Sequence, residues 1–267
     1  MLITAAVGMG LVPYAYIDPI KAFWGIIGIG FLACSGGIFN QVFEYEIDRK
    51  MSRTQHRPLV SDAISKKSAI LIACAFIIFG SIILYTFTTR LTLYLTIFTM
   101  IGYSYIYTKI LKPITSQNIV IGGLFGAMPP LLGWTALTGS IHALPLLLVA
   151  IIFTWTPSHF WALSLAKIDD YKQTPLPMLP ITHGIPCTQI HILAYTVLLI
   201  IVTQLPYLLT YCSLFYLITA NLANIFLFRS MYAVYQSPTS KNCWLAFKHS
   251  NIYLLLIFIG LLLDNWL

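Results

Sequence analysis

Runs of about twenty apolar residues recur along the whole chain, each long enough to cross a lipid bilayer. Hydrophobic residues fill 58% of its 267 positions and charged residues only 9%, with a mean hydropathy of +0.83. A water-soluble domain carries about a quarter charged residues. In a hydrocarbon core every peptide N–H and C=O must be satisfied within the protein, which leaves helices or closed barrels. The runs are long and lack the alternation of barrel strands. The expected fold is therefore all-α: a polytopic membrane bundle, one domain over residues 1–267. Nine spans are expected, at 1–17, 22–43, 69–88, 91–108, 118–138, 143–163, 189–209, 212–235 and 249–265. Gln236 to Ala246 reads as either loop or surface helix.

Placing the loops after even-numbered spans on one side gathers thirteen of the fifteen Lys and Arg residues there, leaving only Lys21 and Arg90 opposite. The positive-inside rule makes the rich side cytoplasmic. The net charge of +7 is then a topology signal, and nucleic acid is not an expected partner. The five cysteines show no CxxC or CxxCH spacing and are expected as free thiols. With no cleavable signal or Arg-rich transit segment, the expected location is a bacterial inner (plasma) membrane. Met1 opens directly into MLITAAVGMGLVPYAYI without a basic flank, so a short leader ahead of this start is expected.

Charged groups are scarce here because each costs about 2.5–3.5 kcal/mol at the centre of a membrane helix. Five of the eight Asp and Glu residues nevertheless fall in two segments, NQVFEYEIDRKMSRTQHRPLV (Asn40–Val60) and SHFWALSLAKIDDYKQTPLPMLP (Ser158–Pro180). In the first, Asn40, Glu44 and Asp48 are spaced by four. If the second helix continues, they form a column roughly 12 Å long on one face. An amide oxygen and two carboxylates suit Mg2+, which keeps some waters and takes phosphate oxygens. Arg49, Arg53 and Arg57 follow at the same spacing, and guanidinium forks grip diphosphate bidentately. An ordinary helix end with intrahelical pairs such as Glu46–Lys50 has the same spacing, and this motif alone does not choose between the two.

The second segment adds Asp169 and Asp170, flanked by Lys167 and Lys172. A second acidic cluster on the same side favours metal and diphosphate over a solvated turn. His159 lies beside Pro157 at the inner end of the sixth span, as an iron ligand, a proton shuttle or a helix-end residue bonded to freed carbonyls. Tyr103 and Tyr107 share a face near Lys109 and are candidates to line a cavity, although aromatics at membrane edges usually form the interfacial belt. Gly122 and Gly126 form a GxxxG, read as close helix packing. No Walker loop or dinucleotide fingerprint is present.

The acidic segments lie four spans apart, and Gly- and Pro-containing runs precede each, GMGLVPY from Gly8 and GAMPPLLGW from Gly126. A four-helix internal repeat with the site between its halves is expected.

Taken together, NQVFEYEIDRKMSRTQHRPLV, SQNIVIGGLFGAMPPLLGWTALTG and HFWALSLAKIDDYKQTPLPMLP resemble the UbiA superfamily of intramembrane prenyltransferases, and the last two resemble its haem-modifying branch. The resemblance spans nearly the whole chain. It implies nine helices around a lipid-open cavity, with Mg2+ and prenyl diphosphate held by the acidic loops. Asn40, Glu44 and Asp48 match the first family motif, and Asp170 with Tyr171 the second; Asp169 joins the implied metal set. Arg49, Arg53, Arg57, Lys109, Tyr171 and Lys172 would hold diphosphate, while Tyr103 and Tyr107 would face positive charge. The implied reaction joins haem B, farnesyl diphosphate and water into haem O and diphosphate, with a haem A synthase or terminal oxidase downstream. Two departures stand out: Glu44 where the family more often has Asp, and no leading Lys-Pro segment. The rival expectations are a UbiA-type enzyme acting on a quinone precursor and a membrane transporter. A transporter would carry its ionisable groups near the midplane, whereas here they gather at one face.

Overall fold

The computed structural model describes residues 1–52 and 54–267, and among these every regular element is a helix. Nine helical rods follow one another: α1 (Leu2–Gly10), α2 (Pro19–Phe43), α3 (Lys66–Phe87), α4 (Arg90–Ile101), α5 (Asn118–Thr138), α6 (Ala143–Ala166), α7 (Gly184–Leu208), α8 (Leu214–Gln236) and α9 (Ser240–Trp266). All but α1 and α4 are long and apolar enough to cross a membrane unaided, and the chain is a multi-pass membrane protein.

The expected first span is much shorter than 1–17: α1 stops at Gly10, and Pro13 leads into a single turn at Tyr14–Tyr16. The ninth span is longer than expected, because Thr239 caps a helix starting at Ser240 by accepting from Asn242 N. The undecided Gln236–Ala246 stretch thus becomes mostly the first turns of α9. Polar caps set other starts too. Asp18 accepts from Ile20 N and Lys21 N with Pro19 in the first turn, and Ser65 accepts from Ser68 N.

α4 carries the main irregularity. Beyond Ile101 it widens into a π-helix over Gly102–Leu111, then returns to a last α-turn at Lys112–Ile114. Such widened turns recur at functional sites because they re-aim side chains without ending the rod.

α5 and α6 are buried over most of their length and form the centre of the bundle, while α2, α3, α7, α8 and α9 turn apolar faces outward. One apolar core joins residues from Ala5 to Leu261. The Gly- and Pro-containing runs of the two halves pack on each other there. A Cβ on Gly8 would sit 2.0 Å from the Pro130 carbonyl oxygen, and one on Gly133 would sit 1.9 Å from that of Ala5. Backbones meet directly, which small residues permit between membrane helices. The GxxxG expectation is only half met. Gly122 makes room for the ring of Tyr107, and a Cβ on Gly126 would meet nothing within 4 Å.

Candidate active site

The end of α2 passes almost without a break into the short helix Tyr45–Asp48, because Glu44 N bonds Asn40 O and Asp48 N bonds Glu44 O. The helical period therefore persists, and Asn40, Glu44 and Asp48 keep one face. That face points inward: the three residues are 7%, 5% and 2% exposed. Buried carboxylates need partners, and each finds one. Lys112 Nζ bonds Glu44 Oε1, and Arg57 reaches Asp48 Oδ2 at 2.5 Å. Burial pushes the Asp48 carboxyl above its usual range, against the pull of Arg57.

The facing surface is the end of α4. Thr108 Oγ1 donates to Tyr103 O at 2.9 Å, so it can only accept from Asn40 Nδ2, which lies 3.0 Å away. That fixes the Asn40 amide with its oxygen left for another group. Asn40–Thr108 and Glu44–Lys112 are both separated by 68 residues. The two rods therefore meet as successive parallel rungs.

The acidic loops do converge. Ser52 Oγ lies 3.0 and 2.8 Å from the two oxygens of Asp170, tying residues 118 positions apart. Tyr171 packs on the core. Tyr103 and Tyr107 stack with centroids 5.8 Å apart.

Other expected members point elsewhere. Asp169 is 86% exposed at its side chain and pairs with Lys172 at 2.9 Å, both in solvent. A helical turn cannot aim two adjacent side chains in one direction, and Asp170 takes the inner position. Arg49 is exposed and lies over the Tyr45 ring, 5.7 Å from its centroid. Lys109 sits outside, over Phe43 and Tyr105. The π-winding that points Thr108 and Lys112 inward turns Lys109 out. Arg53 falls outside the described residues. His159 is buried between Trp155 and Phe247, with centroids at 4.1 and 4.4 Å, and its Nδ1 lies 2.6 Å from Ser250 Oγ. It packs α6 on α9, and none of these neighbours belongs to an acidic loop. The sequence reading missed Lys112, Thr108 and Ser52. Their only signal was the repeated four-residue spacing from Thr108 to Lys112, legible once α4 is set beside α2.

Among the described residues no three His, Cys, Asp or Glu side chains stand close enough to form a ready metal cage. The donor chemistry still fits Mg2+. The inner face offers only hard oxygens from Asn40, Glu44 and Asp48, Asp170 is held to the same loop by Ser52, and Mg2+ takes few protein ligands.

Beyond Tyr103 lies a small apolar cavity of about 20 Å3 between α2, α4 and α5, lined by Ile29, Leu32, Ala33, Gly36, Thr96, Met100 and Leu132 among others. A buried acid column with basic partners thus begins at Asn40, one helical turn beyond the apolar lining at Gly36, so a charged site adjoins an apolar one between the same helices.

Known proteins share this fold. The UbiA prenyltransferase family model matches residues 1–255. Protoheme IX farnesyltransferase 2 of Vibrio campbellii is 43% identical over 267 residues, covering all of this chain and 88% of that protein. A structure of digeranylgeranylglyceryl phosphate synthase superposes with a TM-score of 0.82 at 20% identity, covering 99% of this chain and 92% of the other. A UbiA homolog from Archaeoglobus fulgidus bound to DMAPP and Mg2+ gives 0.73 at 14% identity, covering 97% and 94%. Sequence and fold agree: the chain belongs to the UbiA prenyltransferase family and, within it, groups with the protoheme IX farnesyltransferases.

Proposed function

We propose that this protein transfers the farnesyl group of farnesyl diphosphate to a vinyl substituent of haem B. A carbon–carbon bond forms at the vinyl terminus, the allylic C–O bond breaks, and water caps the remaining cation as a hydroxyl with loss of a proton. The products are haem O and diphosphate. The observation that carries the prenyl-transfer part is the buried Asn40–Glu44–Asp48 face, its acids paired with Lys112 and Arg57, with the second acidic loop tied to the first through Ser52 and Asp170. Haem as acceptor rests on the 43% identity to proteins of that name.

Asn40, Glu44, Asp48 and Asp170 would hold Mg2+, which when bound supplies Lewis-acid neutralisation of the diphosphate. The A. fulgidus homolog is described with this ion and a prenyl diphosphate together, which supports the same class of cofactor here. Lys112 and Arg57 would take diphosphate oxygens, stabilising charge as it grows on the leaving group. The stacked Tyr103 and Tyr107 would face the allylic cation, and the dry cavity would keep water from it. The acidic loops would lie at the cytoplasmic face of a bacterial inner membrane, a reading supported by the thirteen Lys and Arg residues gathered on that side.

The direct test is purified protein with Mg2+, farnesyl diphosphate and either haem B or 4-hydroxybenzoate, read by product mass. Haem O from the first and nothing from the second is the expected result. Prenylated 4-hydroxybenzoate without haem O would overturn the acceptor assignment.

The cavity gives a second expected result. Ala33→Phe should block the apolar path between α2 and α4 and shift the donor preference, farnesyl against geranyl diphosphate, by roughly tenfold or more toward the shorter chain, the scale a few methylenes reach in an apolar pocket. Competition of the two donors measures it. An unchanged ratio would place the chain elsewhere.

A further inference from the structure

Both buried acids are already neutralised from within the chain. Glu44 and Asp48 are four residues apart on one face, and each is matched by one cation drawn from a different element, Lys112 from the end of α4 and Arg57 from the loop. Neither pair is a surface contact: the acid side chains are 6% and 3% exposed, their cations 19% and 26%. A buried carboxylate without a counter-ion is strongly disfavoured, and Lys112 and Arg57 meet that requirement from within the chain. It also sets the terms on which a ligand enters. A divalent cation arriving alone must take the carboxylates from Lys112 and Arg57 and leave those two charges stranded in a confined, half-buried space. A cation arriving with diphosphate brings the anionic oxygens to which both can turn.

We propose that Lys112 and Arg57 act as internal counter-ions that make metal and diphosphate bind as one unit, disfavouring the metal alone. This rests on the metal-and-diphosphate reading above. Lys112 is then a counter-ion to Glu44 that turns to a phosphate oxygen when metal and diphosphate bind. By linkage the coupling is reciprocal: pyrophosphate must tighten the metal by the same factor as the metal tightens pyrophosphate.

The experiment titrates purified protein in detergent with Mn2+, read by electron paramagnetic resonance, with and without inorganic pyrophosphate. For the native chain, Mn2+ alone should bind weakly, and pyrophosphate should tighten it by about tenfold or more, within the usual range of such couplings. Lys112→Met should bind Mn2+ alone more tightly than the native chain, while the gain from pyrophosphate falls below about threefold. Arg57→Gln should change both quantities in the same directions and serves if Lys112→Met does not fold. Lys112→Arg should restore the native pattern. A neutral variant that binds Mn2+ alone no better than the native chain, or keeps the full pyrophosphate gain, would overturn the counter-ion role while leaving the site standing. A native chain that binds Mn2+ neither alone nor with pyrophosphate would remove the metal site and the proposed function with it.

Discussion

Asp48→Asn is expected to lower turnover by roughly 10²–10³-fold, the loss usual when one preorganised electrostatic group is removed from a site of charge development. The amide keeps the size and one oxygen of the carboxylate but loses its charge. Asp48 is 2% exposed, so solvent cannot replace that charge. Asp170→Asn should act in the same direction, since Asp170 is the member of the second loop that reaches the first, through Ser52. Asp169→Asn should stay within about twofold of native turnover, as expected for an exposed carboxylate paired only with Lys172. Haem O formation under saturating Mg2+ measures all three, with a melting curve for each variant because Arg57 loses its partner in the first. Asp48→Asn turning over at more than a tenth of the native rate would contradict the role given to this face, and a large loss in Asp169→Asn would reverse the choice between the adjacent acids.

Gly133→Leu should prevent α1 from seating. Any Cβ at 133 would lie 1.9 Å from the Ala5 carbonyl oxygen and 2.8 Å from its carbon. Those are backbone atoms, and no rotamer change relieves the overlap. Overpacking in a well-filled core costs about 1–3 kcal/mol and more where nothing yields, so a loss of at least about 3 kcal/mol is expected. For a chain of this size that is a drop of roughly 6–12 °C in melting temperature, accompanied by a low yield of folded protein. Gly133→Ala should suffer most of the same loss, because the clash begins at Cβ. Gly126→Ala is the internal control: a Cβ there meets nothing within 4 Å, and the variant should match or slightly exceed native stability. Equal melting temperatures for Gly133→Leu and the native chain would mean the two Gly- and Pro-containing runs do not pack as described.

Much of this molecule was legible because a membrane permits so few solutions. Long apolar runs have to become helices, so the helical class and most of the rods followed from hydropathy. Errors fell at the ends, where local chemistry outranks hydropathy. Pro13 follows close on the end of α1, and the Thr239 cap starts α9 well before the last apolar run. The shared face of Asn40, Glu44 and Asp48 followed from the helical period, which survives past Phe43 because the Asn40–Glu44–Asp48 backbone bonds continue.

The apolar sequence, then, determined by itself that this is a helical membrane protein with most of its acids in two loops, because lipid admits only helices or closed barrels, the long unalternating runs rule out barrel strands, and charge is penalised. Only the tertiary structure decided which charges work together. It turned Lys112 rather than Lys109 toward Glu44, matched Arg57 rather than Arg49 to Asp48, chose Asp170 over Asp169, and packed His159 between α6 and α9. The reason is geometric. Sequence spacing fixes directions within one regular helix, but the π-widened end of α4 changes the angle per residue there. The partner across a helix interface is set by how two rods are placed against each other.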